Sequence, residues 1–203
     1  MENSVKMYTR FLAAFALYFF VFFSDVPFSC LAGDEMEGYF DQFPPNISKT
    51  LYLVGYSSGL KQSNVDCVRL HYRQSSDKGA KLSLYMEVYN NQTGWWETKI
   101  FITTFGYFQD SPIIFSINVT EATGELKNLT GALPSYRVLH YDSDTMVLAN
   151  RYPGVWERAL CSLWANDKYY KKEQQQLPHM TVIVFNNNCK DPKYIPYRNG
   201  CVD

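Results

Sequence analysis

From about residue 50 onward, apolar and polar positions alternate along the chain. A period of two is the side-chain spacing of a β-strand. The clearest run is Lys81 to Tyr89, KLSLYMEVY. Leu82, Leu84, Met86 and Val88 fall on one face; Lys81, Ser83, Tyr85, Glu87 and Tyr89 fall on the other. This pattern predicts a half-buried antiparallel strand. Asn90-Asn91-Gln92-Thr93-Gly94 then predicts a turn, and Trp95 to Phe105 the return strand. On that strand we place Ile100 and Ile102 inward together with Trp96, with Phe101 as the competitor for the inner face. Further strands are expected at Thr50 to Gly55, Val65 to Tyr72, Pro112 to Val119, Tyr136 to Tyr141, Thr145 to Ala149 and Trp156 to Trp164. One more short strand is expected around Glu125 to Leu129, and Asp142-Ser143-Asp144 reads as a tight turn.

Eight or so short sequential strands predict an all-β fold, an eight-stranded antiparallel up-and-down barrel. Closure removes the sticky edges that such strands otherwise expose. A barrel of this size encloses room for one small ligand. A two-sheet sandwich has a similar strand count and stays open as the alternative. Beyond Asn166 the pattern changes. Lys168 to Gln176 is polar and suits a helix start or a solvated loop. Pro178 suits the first turn of a short C-terminal helix, although Thr181-Val182-Ile183-Val184-Phe185 is β-branched and weakly helical.

The first residues break the alternation. Lys6 and Arg10 precede an unbroken apolar run, Phe11 to Phe23. The run is shorter than the roughly 20 residues a bilayer span needs and has the length of a signal-peptide core. Small residues near Ala32-Gly33 suit cleavage there. The expected organisation is therefore a signal peptide over 1–33 and a single domain over 34–203, secreted and with no membrane span after cleavage. Cleavage would also remove Cys30, turning five cysteines into four: Cys67, Cys161, Cys189 and Cys201. An even set behind a leader reads as disulfides, and four cysteines allow three connectivities. Sequons at Asn46, Asn91, Asn118 and Asn128 are plausible glycan sites in an exported chain.

Charge and motifs narrow the function classes. A net charge of -1 offers no field for nucleic acid. His71, His140 and His179 are scattered, with no zinc spacing, nucleophile elbow or phosphate loop. We therefore expect no enzyme, no metal and no cofactor. Aromatic residues make up 17% of the chain, which favours strands and an apolar cavity.

Several segments are more specific. Thr50-Leu51-Tyr52-Leu53 leads into Asn64-Val65-Asp66-Cys67-Val68, and Cys161-Ser162-Leu163-Trp164 follows late in the chain. Asn188-Cys189-Lys190-Asp191-Pro192 and Asn199-Gly200-Cys201 close it. Through these segments, most of Lys49 to Asp203 resembles the tick salivary lipocalins, the histamine-binding-protein-like family. Asp34 to Pro45 matches less well.

The resemblance implies a lipocalin-like barrel with a C-terminal helix and two disulfides, Cys67–Cys201 and Cys161–Cys189. If Cys161 faces outward to meet Cys189, Leu160, Ser162 and Trp164 face inward. The expected ligand pocket is then Leu82, Leu84, Met86, Val88, Ile100, Ile102, Val138, His140, Met146, Leu148, Ser162 and Trp164. Those side chains could equally fill the barrel with no cargo. Family members bind amines, fatty-acid mediators or sterols. The amine binders carry an acid in each of two late strands; here Met146 and Ser162 stand at the corresponding positions. A buried ammonium without a counter-charge costs several kcal/mol, so a small apolar ligand, a sterol or fatty acid, is expected. The alternative is a scavenger of histamine, serotonin or a lipid mediator with no cellular target. The resemblance also implies modulation of host immune cells, dendritic cells in particular, through a receptor or a soluble host protein. Trp95, beside the Asn90 hairpin, is one candidate for such a contact.

Overall fold

The computed structural model describes Phe43 and residues 50–201, apart from 61–63, 77–78, 112–113, 121–123, 131–132, 151–156, 171–175 and 197–200. The expected signal peptide and Asn46 lie outside the described residues. No helix among the described residues is long and apolar enough to cross a membrane.

Eight antiparallel strands follow one another around a closed barrel. They are β1 (Thr50–Ser57), β2 (Val65–Ser76), β3 (Gly79–Asn90), β4 (Trp95–Ser111), β5 (Ile114–Thr120), β6 (Ser135–Tyr141), β7 (Thr145–Asn150) and β8 (Cys161–Asn166). Each pairs with its sequence neighbour, apart from β1 with β8, and the β1–β2 pairing completes the ring. This is the up-and-down barrel, and closure excludes the sandwich. The eighth strand begins at Cys161, five residues later than the pattern suggested.

The closing seam is its weakest ladder. β1 pairs with β2 only over Thr50 to Tyr52. Farther along, Gly55 to Ser57 turn to a short ninth strand, β9 (Pro192–Tyr194). Cys67 sits in a register break of β2, with φ at 49°. A bulge re-aims a side chain, and this one accompanies the bond from Cys67 to Cys201 in the C-terminal segment.

Three helices accompany the barrel: α1 (Gly124–Thr130), α2 (Asp167–Tyr170) and α3 (His179–Asn188). α1 replaces the strand expected around Glu125 to Leu129. Lys127 and Asn128 are exposed while Leu126 is fully buried, so a single turn can seat its one large apolar side chain inward. Pro178 stands just before the C-terminal helix, at its N-cap with an extended ψ of 137°, and not in the first turn; its carbonyl accepts the Val182 amide at 3.1 Å. α3 is β-branched yet helical because it is docked. Phe185 and Thr181 are buried against the outside of the barrel, and Gly55 lacks the Cβ that would press on the Phe185 ring.

Two apolar layers result. The inner one fills the barrel with Leu82, Met86, Phe101, Phe105, Ile117 and their neighbours. The outer one lies between strands β1, β7 and β8 and helices α2 and α3, and includes Tyr52, Val147, Leu163, Tyr170 and Phe185. The Cys161–Cys189 disulfide runs through this outer layer, while Ser162 and Trp164 point the other way.

Candidate ligand-binding site

Inside the barrel is a cavity of about 510 Å³. Leu84 from β3, Leu148 from β7 and Ser162 and Trp164 from β8 border it. All four belong to the pocket expected from alternation. β8 places its pair because Cys161, Leu163 and Ala165 face the outer layer. Ser162 Oγ accepts a hydrogen bond from Trp164 Nε1 at 2.9 Å, which fixes the indole.

The other expected residues lie elsewhere. Leu82, Met86, Val88, Val138 and Met146 are inside the barrel, but they pack into the inner layer and do not border the cavity. Ile100 and Ile102 are 55% and 40% exposed, on the outer face. The cause is hairpin register. Leu84 stands opposite Phe101 and Leu82 opposite Thr103, and directly paired residues share a face. Phe101, Thr103 and Phe105 are therefore the inward set. Trp96 is half exposed and still reaches the border of the cavity.

His140 is also outside. Val138 pairs with the inward Leu148, but after a register break His140 pairs with Val147, an outer-layer residue. An extra residue in a strand inverts its phase. His140 Nε2 lies 3.5 Å from Asp142 Oδ2, within ion-pair reach but without the geometry of a hydrogen bond.

Asp142 holds the β6–β7 turn to α3. Its Oδ1 accepts the amides of Asp144 and Thr145 at 2.8 and 2.7 Å. Its Oδ2 accepts the Thr145 hydroxyl at 2.9 Å, and Thr145 Oγ1 lies 2.7 Å from Thr181 Oγ1 on α3. Burial pushes the carboxyl pKa up, but His140, the two amides and the Thr145 hydroxyl outweigh it and draw it from 3.8 to about 2. A lowered folded-state pKa stabilises the fold at pH above the unfolded value, and that stability is lost as pH falls through the folded one. Thermal stability should therefore fall between about pH 4 and pH 2, and Asp142→Asn should flatten that part of the curve. Melting temperatures of both proteins across this range check it; parallel curves would refute it.

Alternation alone missed several cavity residues. Phe105 and Thr103 come from β4, Val119 from β5, Leu126 from α1 and Leu53 from β1. Leu126 carried no strand-period signal, since its segment is helical. Asp66 was also missed; its Oδ1 accepts the Cys67 amide at 3.0 Å. Among the described residues, no Lys, Arg or His borders the cavity. Met146 and Ser162 are both inward, so the two amine-binding acids have no counterpart there. The sequons at Asn91, Asn118 and Asn128 lie on a turn, on β5 and on α1, each with an exposed side chain.

A closed antiparallel barrel around one largely apolar cavity, with a helix strapped outside by a disulfide, is a lipocalin. No family model matches the chain. Japanin-like-RS from Rhipicephalus sanguineus is 30% identical over 75% of this chain and 80% of its own length. Japanin from Rhipicephalus appendiculatus is 29% identical over 76% of this chain and 81% of its own length. A crystal structure of Japanin bound to cholesterol superposes with a TM-score of 0.64 at 28% identity, covering 78% of this chain and 98% of that one. The chain belongs to the Japanin and Japanin-like proteins of ticks.

Proposed function

We propose that this chain is a secreted, glycosylated lipocalin that carries a small apolar ligand of the sterol class in its barrel and modulates host immune cells. The cavity carries the ligand part of this reading: about 510 Å³, apolar on most sides, and free of cationic side chains among the described residues. A fatty-acid carboxylate buried there would lack a counter-charge, which costs several kcal/mol. An amine scavenger would lack the paired acids at Met146 and Ser162. The solved Japanin structure, bound to cholesterol, supports the sterol class over both.

Secretion is supported by the leader-like N-terminus and by two disulfides. The immune-cell role is supported by family membership. It is also supported by a stripe of exposed apolar side chains on the outer face of β4, where Trp96, Ile100 and Ile102 lie. Large exposed aromatics often anchor protein contacts.

The test is native mass spectrometry of protein secreted from eukaryotic cells with its full leader. The expected result is a chain lacking residues 1–33, carrying glycans and holding a neutral lipid, or taking up cholesterol after extraction and reloading. A barrel that takes up neither sterol nor fatty acid would overturn the ligand part.

A further inference from the structure

Six polar side chains are buried among the described residues: Ser57, Ser83, Thr103, Ser116, Thr145 and Thr181. Ser57 donates to the Ala159 carbonyl and accepts the Cys161 amide. Ser83 accepts the Arg73 guanidinium at 2.7 Å. Thr145 and Thr181 bond each other, and Ser116 is also partnered. Thr103 is the exception. Its side chain is 1% exposed, borders the cavity, and its Oγ1 has no hydrogen-bond partner.

Position makes this hydroxyl informative. Thr103 stands between Phe101 and Phe105 in the inward set of β4, opposite Leu82. Valine has the same shape and favours strands, so packing alone would choose it. A buried hydroxyl left unpaired costs free energy that a valine would avoid. Three other hydroxyls at the cavity each hold a hydrogen bond within the protein. Ser162 Oγ accepts from Trp164, Tyr136 accepts the Leu133 amide at 2.7 Å, and Thr130 donates to the Leu126 carbonyl at 2.7 Å. The remaining buried atom without a hydrogen bond, His140 Nε2, faces Asp142 on the outer side.

We infer that the Thr103 hydroxyl is the polar anchor of the cavity, pairing with the single hydroxyl of a neutral apolar alcohol. This inference rests on the sterol reading above and refines it. A hydroxyl can both donate and accept, so it suits an alcohol head. It brings no charge to neutralise a carboxylate, and among the described residues no cation borders the cavity to do so. Thr103 thus sets the choice between a sterol and the same hydrocarbon without its hydroxyl.

The test uses the full secreted protein, stripped of lipid, and dehydroergosterol as a fluorescent probe. Trp96 and Trp164 border the cavity and serve as energy-transfer donors. Cholesterol, 5α-cholestane and oleate are then titrated as competitors. The wild type should prefer cholesterol to cholestane by about tenfold or more, the scale of one buried hydrogen bond left unmade. Thr103→Val should bring that ratio close to one and raise the melting temperature of the ligand-free protein. Thr103→Ser should restore the preference, and Thr98→Val, on the exposed outer face of the same strand and away from the cavity, should leave it intact. An unchanged ratio in Thr103→Val, with dehydroergosterol still bound, overturns the anchor while leaving the sterol reading standing. An equal collapse of the ratio in Thr98→Val, or oleate competing as well as cholesterol, also overturns it. Failure of the wild type to bind dehydroergosterol or cholesterol overturns both readings.

Discussion

Tryptophan at both Leu84 and Leu148 will abolish sterol uptake while leaving the barrel folded. The two side chains enter the cavity from β3 and β7. A sterol of about 28 heavy atoms at roughly 0.3 kcal/mol per atom gains about 8 kcal/mol, which corresponds to micromolar affinity. That gain requires the ring system to be enclosed, and two indoles occupy the space it needs. The expected loss is at least about a hundredfold, or about 3 kcal/mol. Overpacking a filled core typically costs about 1–3 kcal/mol. Here the added atoms enter open volume, so the cost should fall at the lower end. Dehydroergosterol titration and thermal melting, run on the same preparation, check both halves. Retained micromolar binding would mean that the ligand sits elsewhere.

The same variant separates two modes of action. If the proposed modulation of dendritic cells is seen with the wild type and disappears with the cargo, the ligand is part of the signal. If it survives, the activity belongs to the outer surface. The β4 stripe then becomes the place to mutate, starting with Ile100→Lys and Ile102→Lys. Both residues are exposed and neither borders the cavity, so these changes should leave sterol binding unaltered.

Loss of Cys67–Cys201 will destabilise the protein more than loss of Cys161–Cys189. The first bond joins residues 134 apart and the second residues 28 apart. On the chain-entropy account these contribute about 5 and about 4 kcal/mol. Either is a large share of the roughly 5–15 kcal/mol that holds a domain together. For a domain of this size each kcal/mol moves the melting temperature by about 2–4 °C. Paired alanine replacement should therefore lower it by about 10–20 °C for the first bond and by about 8–16 °C for the second. The local consequences also differ. The first bond ties the C-terminal segment to β2, beside the short β1–β2 ladder. The second pins the end of α3 to β8, so its loss should raise hydrogen exchange in α3 while the barrel strands stay protected. Equal exchange throughout the chain in Cys161→Ala/Cys189→Ala would contradict this division.

Much of the barrel was legible because a β-strand exposes its environment in every second residue. Leu82, Leu84, Met86 and Val88 announce one buried face, and the structure buries all four. The β3–β4 phase was also within reach. The turn at Asn90 to Gly94 places Asn90 opposite Trp95. Counting outward from that pair puts Leu84 opposite Phe101 and leaves Ile100 and Ile102 outside. Bulk hydrophobicity favoured the isoleucines; turn length decides against them.

Other features lay beyond the local pattern. His140 follows the alternation of β6 on paper, and only the register break against β7 turns it outward. The helix at 124–130 contradicts a strand-like reading because one leucine, inserted against the inner layer, outweighs weak local preference. α3 is helical for the same reason: docking of Phe185 overrides β-branching. Cysteine count pointed to an oxidising compartment but left three pairings open; the pairing that the family resemblance implied is the one that the fold brings together.

By itself, then, the sequence determined the strand period, the strand number within one, the turns, and the inward face of β3, because those follow from spacing along the chain; the inward face of β8 followed from alternation together with the Cys161–Cys189 bond that the family resemblance implied. The tertiary structure alone decided the phase of β6 beyond its bulge, the helix over Leu126, and the burial of the Thr103 hydroxyl beside the cavity without a hydrogen-bond partner. Each of these depends on which residues distant in sequence lie side by side, and an energy of contact is not written in the order of residues.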